Sequence, residues 1–114
     1  MISPIVLKVG GELVGESEHL ATVVAAVAAV NTTERNLVLV HGGGREIDRA
    51  LERAGIAKQQ VDGLRITDDA TLAVVVSVLA GIVNPRFVAA LNSAGVSTAS
   101  KCALSPKTSV ICVK

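Results

Sequence analysis

Aromatic side chains are almost missing from this sequence: one phenylalanine, Phe87, stands among 114 residues, with no tryptophan or tyrosine. That excludes a base-stacking platform for nucleic acid. The core must therefore be aliphatic, mainly Val, Ala, Leu and Ile, within a composition that is 50% hydrophobic. An excess of one charge sign is also lacking. Eleven Lys and Arg against ten Asp and Glu leave a net charge of +1, and no basic cluster stands out, so neither nucleic acid nor an anionic membrane is expected as a partner. The two cysteines, Cys102 and Cys112, are too few for a disulfide scaffold and too far apart for a CxxC site. Free thiols and a cytoplasmic location are expected. Met1-Ile2-Ser3-Pro4 lacks the charged and apolar regions of a signal peptide, and no unbroken apolar run reaches bilayer length. The length fits one domain, residues 1–114, with a moderate core.

What is present centres on Leu37-Val38-Leu39-Val40-His41-Gly42-Gly43-Gly44-Arg45-Glu46-Ile47-Asp48. A run of buried-strand type ends in three glycines, and an amphipathic helix pattern follows. Adjacent glycines let the backbone turn sharply and approach a ligand closely. The helix behind them offers unpaired N–H groups and the positive end of its dipole. Together they form a candidate anion site. A weaker copy lies at Val6-Leu7-Lys8-Val9-Gly10-Gly11. Two glycine turns in one sheet, one carrying a lysine, suggest handling of a phosphoryl group.

The pattern predicts a strand over residues 5–9 and a helix over 16–30, with Leu20, Val23, Val24, Val27 and Val30 on one stripe. Asn31-Thr32-Thr33 reads as a polar loop and residues 36–40 as the next strand. Strand, helix and strand in so few residues make a βαβ unit with a parallel sheet and a right-handed crossover. The helix after the glycines places Ile47, Ala50, Leu51 and Ala54 on one face, with Gly55 past its end. Val61 and Leu64 flank Asp62-Gly63 in a small hairpin, with Leu64 as its anchor on the core. Thr67-Asp68-Asp69 reads as a helix cap followed by two acids. Residues 72–79 form a helix ending near Gly81, apolar on nearly every side and so buried in a core or a subunit interface. Asn84-Pro85 starts a further helix, whose Val88, Leu91 and Ala94 face inward and which Gly95 ends. Pro106-Lys107 turns into a last strand over 109–113.

Lys8 and the glycine turns are the first chemical candidates, because adjacent parallel strands bring both turns to the carboxyl-end edge where α/β sheets bind ligands. Neither turn is a GxxxxGK[ST] loop or a clean GxGxxG. His41, at the end of a buried strand, reads as a structural hydrogen-bonding residue. No second histidine or cysteine lies at ligand spacing, so no metal site is expected. Arg65, just past the hairpin turn, has the fork that grips carboxylates, although its spacing also suits an ordinary surface arginine. Asp48, Asp68 and Asp69 are explained by a helix surface and a helix start.

The segments Ile5-Val6-Leu7-Lys8-Val9-Gly10-Gly11, Val38-Leu39-Val40-His41-Gly42-Gly43-Gly44 with Ile47-Asp48, and Asp62-Gly63-Leu64-Arg65-Ile66-Thr67 resemble the N-terminal half of the amino acid kinase family, acetylglutamate kinases in particular. Leu79-Ala80-Gly81 with Asn84, and Leu91-Asn92 before Gly95, add to the likeness, which covers residues 3–96. The resemblance implies a three-layer α/β/α sandwich around a mainly parallel sheet, and phosphorylation of the side-chain carboxylate of N-acetyl-L-glutamate by MgATP in arginine biosynthesis. Lys8 would stabilise the phosphoryl group in transfer, with Gly10 and Gly11 near it. Gly43 and Gly44 would bind the acceptor through backbone N–H groups, and Arg65 would hold its α-carboxylate. The acceptor is an ionised carboxylate near pH 7, so no general base is required; positive charge and N–H dipoles must instead bring two anions together. Family proteins are more than twice this long and are usually dimers or larger, so a homo-oligomer is expected, with the nucleotide half absent from this chain. Past Gly95, where the family has a glycine-rich segment, the chain reads Ser97-Thr98-Ala99-Ser100-Lys101-Cys102. Three readings stay open: the acceptor-binding lobe of such a kinase, another family member or the kinase-like domain of an acetylglutamate synthase, and a non-catalytic binding or oligomerisation remnant.

Overall fold

Aliphatic and β-branched residues favour extended backbone, and Ile5–Val9 and Leu37–His41 form strands β1 and β2. The computed structural model describes residues 3–15, 17–31, 36–105 and 108–113, with side chains through Thr98. It pairs the two strands in parallel, Ile5 with Leu37 through to Val9 with His41. Both strands end level, so the glycines after each reach the same edge of the sheet. Between them run α1 (Gly11–Gly15) and α2 (Ser17–Val30). The expected βαβ unit is present, with one addition: Gly10-Gly11 leads straight into α1, where the Leu13 N–H donates to the Gly10 carbonyl at 3.0 Å. Glu16, Thr32 and Thr33 lie outside the described residues.

Helix α3 spans Gly44–Arg53, and β3 (Gln60–Val61) and β4 (Leu64–Arg65) form the hairpin. Asp62 and Gly63 both adopt positive φ, 51° and 75°, the paired left-handed geometry that Asp-Gly suits in a two-residue turn. Helix α4 (Asp69–Val78) follows, then a π-helical turn (Leu79–Val83) and α5 (Asn84–Ser93). The cap of α4 is Asp68 rather than Thr67, because the Asp68 carboxylate reaches the Thr71 N–H at 2.8 Å. Strands β5 (Thr98–Ser105) and β6 (Thr108–Val113) complete the chain. The sheet order is β1-β2-β6-β5. The parallel β1–β2 pair is extended by antiparallel pairing of β6 on β2 and of β5 on β6, giving a mixed α/β sandwich. Strand β5 was not evident from the sequence pattern, and Pro106-Lys107 lies outside the described residues.

Residues at alternate strand positions share a face. Leu37, Leu39 and His41 of β2 are buried, and with Val9 they meet one core built from Val24 and Val27 of α2, Ile47 and Leu51 of α3, and Val75, Val78, Leu79, Val83, Phe87 and Leu91. The opposite face carries Val6, Lys8, Val38 and Val40, and Val6 is 65% exposed. Three apolar residues expected inward are exposed. Val30 lies at the end of α2, beside a groove it shares with Ile5, Leu7 and Leu37. Ala54 and Ala94 occupy the C-caps of α3 and α5.

The expected break at Gly81 and fresh start at Asn84-Pro85 do not occur. One helix runs from Asp69 to Ser93 and is long and apolar enough to cross a membrane, contrary to the sequence expectation. In this fold Val75, Leu79, Val83, Phe87 and Leu91 from it are buried against the rest of the protein. The continuity has a local cause. In the π turn the Asn84 N–H bonds to the Leu79 carbonyl, one residue further back than in an α-helix, so the ladder is already out of step when Pro85 arrives without an N–H. Nor is residues 72–79 buried all round: Leu72 is 41% exposed.

Candidate functional site

The two glycine turns touch. A Cβ on Gly11 would lie 2.8 Å from the Gly43 nitrogen and 2.9 Å from the Gly42 carbonyl carbon, so only glycine lets α1 start against the β2–α3 turn. A Cβ on Gly43 would meet Leu79 Cδ2 at 3.0 Å and Val83 Cγ2 at 3.1 Å. The turn is thus clamped between α1 and the π turn. Beneath it His41 is fully buried. Its Nδ1–H donates to the Gly42 carbonyl at 3.0 Å, and Nε2 accepts from Asn84 Nδ2 at 3.1 Å, with Phe87 edge-on at 5.8 Å. Burial lowers the His41 pKa, and the Gly42 bond offsets this only in part. A neutral, Nδ1-protonated ring satisfies both contacts, which makes His41 the structural residue its position suggested.

Above the turn lies a cavity of about 250 Å³ lined by Gly11, Gly42, Gly43, Gly44, Ile47, Gln60, Gly63 and Arg65. Helix α3 opens on it from Gly43, a cap without a side-chain hydrogen bond. Its first N–H groups and the positive end of its dipole are left for a ligand. The hairpin closes the other side with Arg65. The structure therefore brings together four of the expected site residues, Gly11, Gly43, Gly44 and Arg65. Gly10 is adjacent in sequence but does not line the cavity, and no neighbour crowds it. Lys8 is exposed at the carboxyl end of β1, on the sheet face away from the core, and does not line the cavity either.

Arg65 is held from below. Its Nη2 donates to Asp48 Oδ1 at 2.5 Å, and Lys58 Nζ donates to Asp48 Oδ2 at 2.9 Å. Arg65 is 14% exposed, and its Nη1 is buried without a hydrogen-bond partner. A buried cationic donor left unpaired is costly, and a carboxylate in the cavity would relieve it. Partial burial works to raise the Asp48 pKa; the hydrogen bonds and charges of Lys58 and Arg65 outweigh it and hold the carboxyl below its usual value. Asp48 is thus more than the helix-surface acid that the sequence suggested. A second correction concerns Leu64, which was expected to anchor the hairpin on the core: it is 58% exposed. The Arg65–Asp48 pair ties down the hairpin instead.

Arg86 was not singled out in the sequence. Its Nη2 donates to the Val14 carbonyl at 3.0 Å and to Glu46 Oε1 at 2.7 Å, which fixes the end of α1 and the first turn of α3 relative to α5. A Cβ on Gly15 would lie 2.9 Å from that same Glu46 Oε1. No sequence period links these residues, which lie far apart in the chain. Among the described residues, no group of three or more His, Cys, Asp or Glu is placed to hold a metal ion.

The model of the Amino acid kinase family matches residues 3–109. The chain belongs to the amino acid kinase family. Among similar proteins of that family, the acetylglutamate kinase of Methanopyrus kandleri is 46% identical over 92 residues, covering 81% of this chain and 33% of that protein. The acetylglutamate kinases of Bradyrhizobium diazoefficiens and Chloroflexus aggregans are each 43% identical over 91 residues, covering 80% of this chain and 31% and 35% of theirs. The crystal structure of smu.665 from Streptococcus mutans UA159 superposes with a TM-score of 0.67 at 29% identity, covering 83% of this chain and 38% of that one. This amino acid kinase family chain thus spans about a third of the length of the curated relatives it matches.

Proposed function

We propose that this chain supplies the acceptor-binding lobe of a kinase that phosphorylates the side-chain carboxylate of N-acetyl-L-glutamate, a step of arginine biosynthesis, in the cytoplasm. The observation that carries the reading is the cavity that sets the N-terminus of α3 opposite Arg65. An acceptor with two carboxylates suits it. Arg65 grips the α-carboxylate, and the backbone N–H groups of Gly43 and Gly44 hold the reacting one. The names of the similar proteins point to the same acceptor.

MgATP supplies the phosphoryl group. An oxygen of the acceptor carboxylate forms the new bond to the γ-phosphorus while the bond to the β,γ-bridging oxygen breaks, and no proton need move. This chain's part is electrostatic. The N–H groups at Gly10 and Gly11 and the Lys8 charge, at the same sheet edge, stabilise the phosphoryl group as charge shifts. The chain's described residues offer an anion site of this kind but no cluster for the metal, so the proposal assigns nucleotide and Mg²⁺ to a second, nucleotide-binding half and residues 1–114 to a single lobe.

Calorimetric titration of the chain with N-acetyl-L-glutamate tests acceptor binding; absence of saturable heat overturns the reading. In a protein that joins this lobe to a nucleotide half, Lys8→Ala is expected to slow phosphoryl transfer by about 10²–10³ with acceptor affinity nearly unchanged. Near-normal turnover removes Lys8 from the mechanism. Acceptor binding without turnover by any such protein identifies a binding module instead.

A further inference from the structure

The roles above leave one polar side chain of the cavity unused, Gln60. Arg65 is the only other lining residue whose side chain can form hydrogen bonds. The two stand opposite one another in the hairpin register, Gln60 paired with Arg65. Directly paired residues carry side chains on the same face, with Cβ atoms about 4.5–5.5 Å apart. A group bonded to the carbon that bears the carboxylate held by Arg65 therefore comes within reach of Gln60. The Gln60 carboxamide both donates and accepts, which matches the N–H and C=O of a secondary amide. The cavity lining contains no carboxylate, and Asp48 is engaged by Arg65 and Lys58. A free α-ammonium would face Arg65 with no countercharge.

We infer that Gln60 hydrogen-bonds the acylated α-nitrogen of the acceptor and so sets the preference for an N-acyl amino acid over the free one. The inference rests on the reading in which Arg65 takes the α-carboxylate. Gln60 is exposed on a two-residue strand, so its variants keep the fold, which circular dichroism checks.

The test is calorimetry on the full chain with N-acetyl-L-glutamate and L-glutamate, for wild type, Gln60→Leu and Gln60→Glu. Gln60→Leu is expected to weaken acetylglutamate binding about two- to tenfold, the weight of one neutral hydrogen bond, and to leave glutamate binding unchanged. Gln60→Glu adds a carboxylate that repels the acceptor dianion and attracts an ammonium. The ratio of acetylglutamate to glutamate affinity is expected to fall by about tenfold or more. If both variants keep the wild-type ratio within about twofold while the wild type binds acetylglutamate, the role of Gln60 is overturned and the substrate reading stands. If the wild type binds no acetylglutamate, both are overturned.

Discussion

Replacing Arg65 with alanine tests the site most directly. The guanidinium is 14% exposed, so its charge is screened less than that of an open surface arginine. A hydrogen bond to a charged group contributes about 1.5–3 kcal/mol. The unpaired, buried Nη1 moves the expectation toward the upper part of that range, because a bound carboxylate relieves a donor that is otherwise orphaned. At 1.4 kcal/mol per tenfold, Arg65→Ala should weaken acetylglutamate binding by about one to two orders of magnitude. The fold should suffer little. Asp48 is 37% exposed and keeps Lys58 at 2.9 Å, so losing the Arg65 pair costs about 1 kcal/mol or less. Arg65→Lys should rescue little binding, since a point charge does not reproduce the fork. Calorimetry with N-acetyl-L-glutamate, beside urea unfolding of the same samples, separates affinity from stability. Affinity for Arg65→Ala within twofold of wild type refutes the assignment. A large stability loss with unchanged affinity shows the arginine to be purely structural.

The glycines give a contrasting pair. Gly11→Ala forces a Cβ to within 2.8 Å of backbone and should lower unfolding stability by about 1–3 kcal/mol. Gly44→Ala meets nothing within 4 Å; stability should stay within about 1 kcal/mol of wild type while acceptor binding falls, which paired melts and titrations would show. His41 makes stability pH-dependent. Its folded pKa lies below the ordinary 6.5, so the unfolded chain takes up the proton first. Stability is full above about pH 6.5 and declines as pH falls below it; urea midpoints between pH 7.5 and 5 should show this slope, and His41→Gln should flatten it. Leu72 and Ile82 are 41% and 48% exposed on the long helix, and self-association through that surface should appear in light scattering at micromolar concentration and weaken in Leu72→Asp. A monomeric wild type removes that expectation.

Short-range signals made the strand–glycine–helix units legible. The contact between their turns followed from parallel pairing of β1 with β2, since level strands bring Gly11 and Gly43 together. The Asp62-Gly63 turn was equally plain, because its residue types suit the positive φ values they adopt. Pairs without a period were not legible: Asp48 and Arg65 are 17 residues apart, and nothing in either segment announces the other. Leu64 misled because an apolar residue beside a turn was expected to find the core, whereas its two-residue strand turns it outward. Gly81 and Asn84-Pro85 are sound breaker signals in isolation. Here the burial of Leu79, Val83 and Phe87 overrides them, and the wide turn makes the proline tolerable.

The π turn also sets the phase of the long helix. Thr71, Val75, Leu79, Val83, Phe87 and Leu91, all buried, recur every fourth residue. In a regular α-helix four residues overshoot a full turn by about 40°, so over that stretch the stripe would swing by about 200° and Leu91 would face away from the core that holds Thr71. A turn wound more loosely takes back part of that rotation midway. It does so where Leu79 and Val83 flank Gly43 and immediately before Asn84 meets His41. A single-residue deletion between 79 and 83 would return the segment to α winding and rotate everything beyond it by about 100°. Asn84 would leave His41, and the buried stripe of α5 would turn out of the core. Of all the helical stretches in this chain, these five residues can least tolerate a change in length.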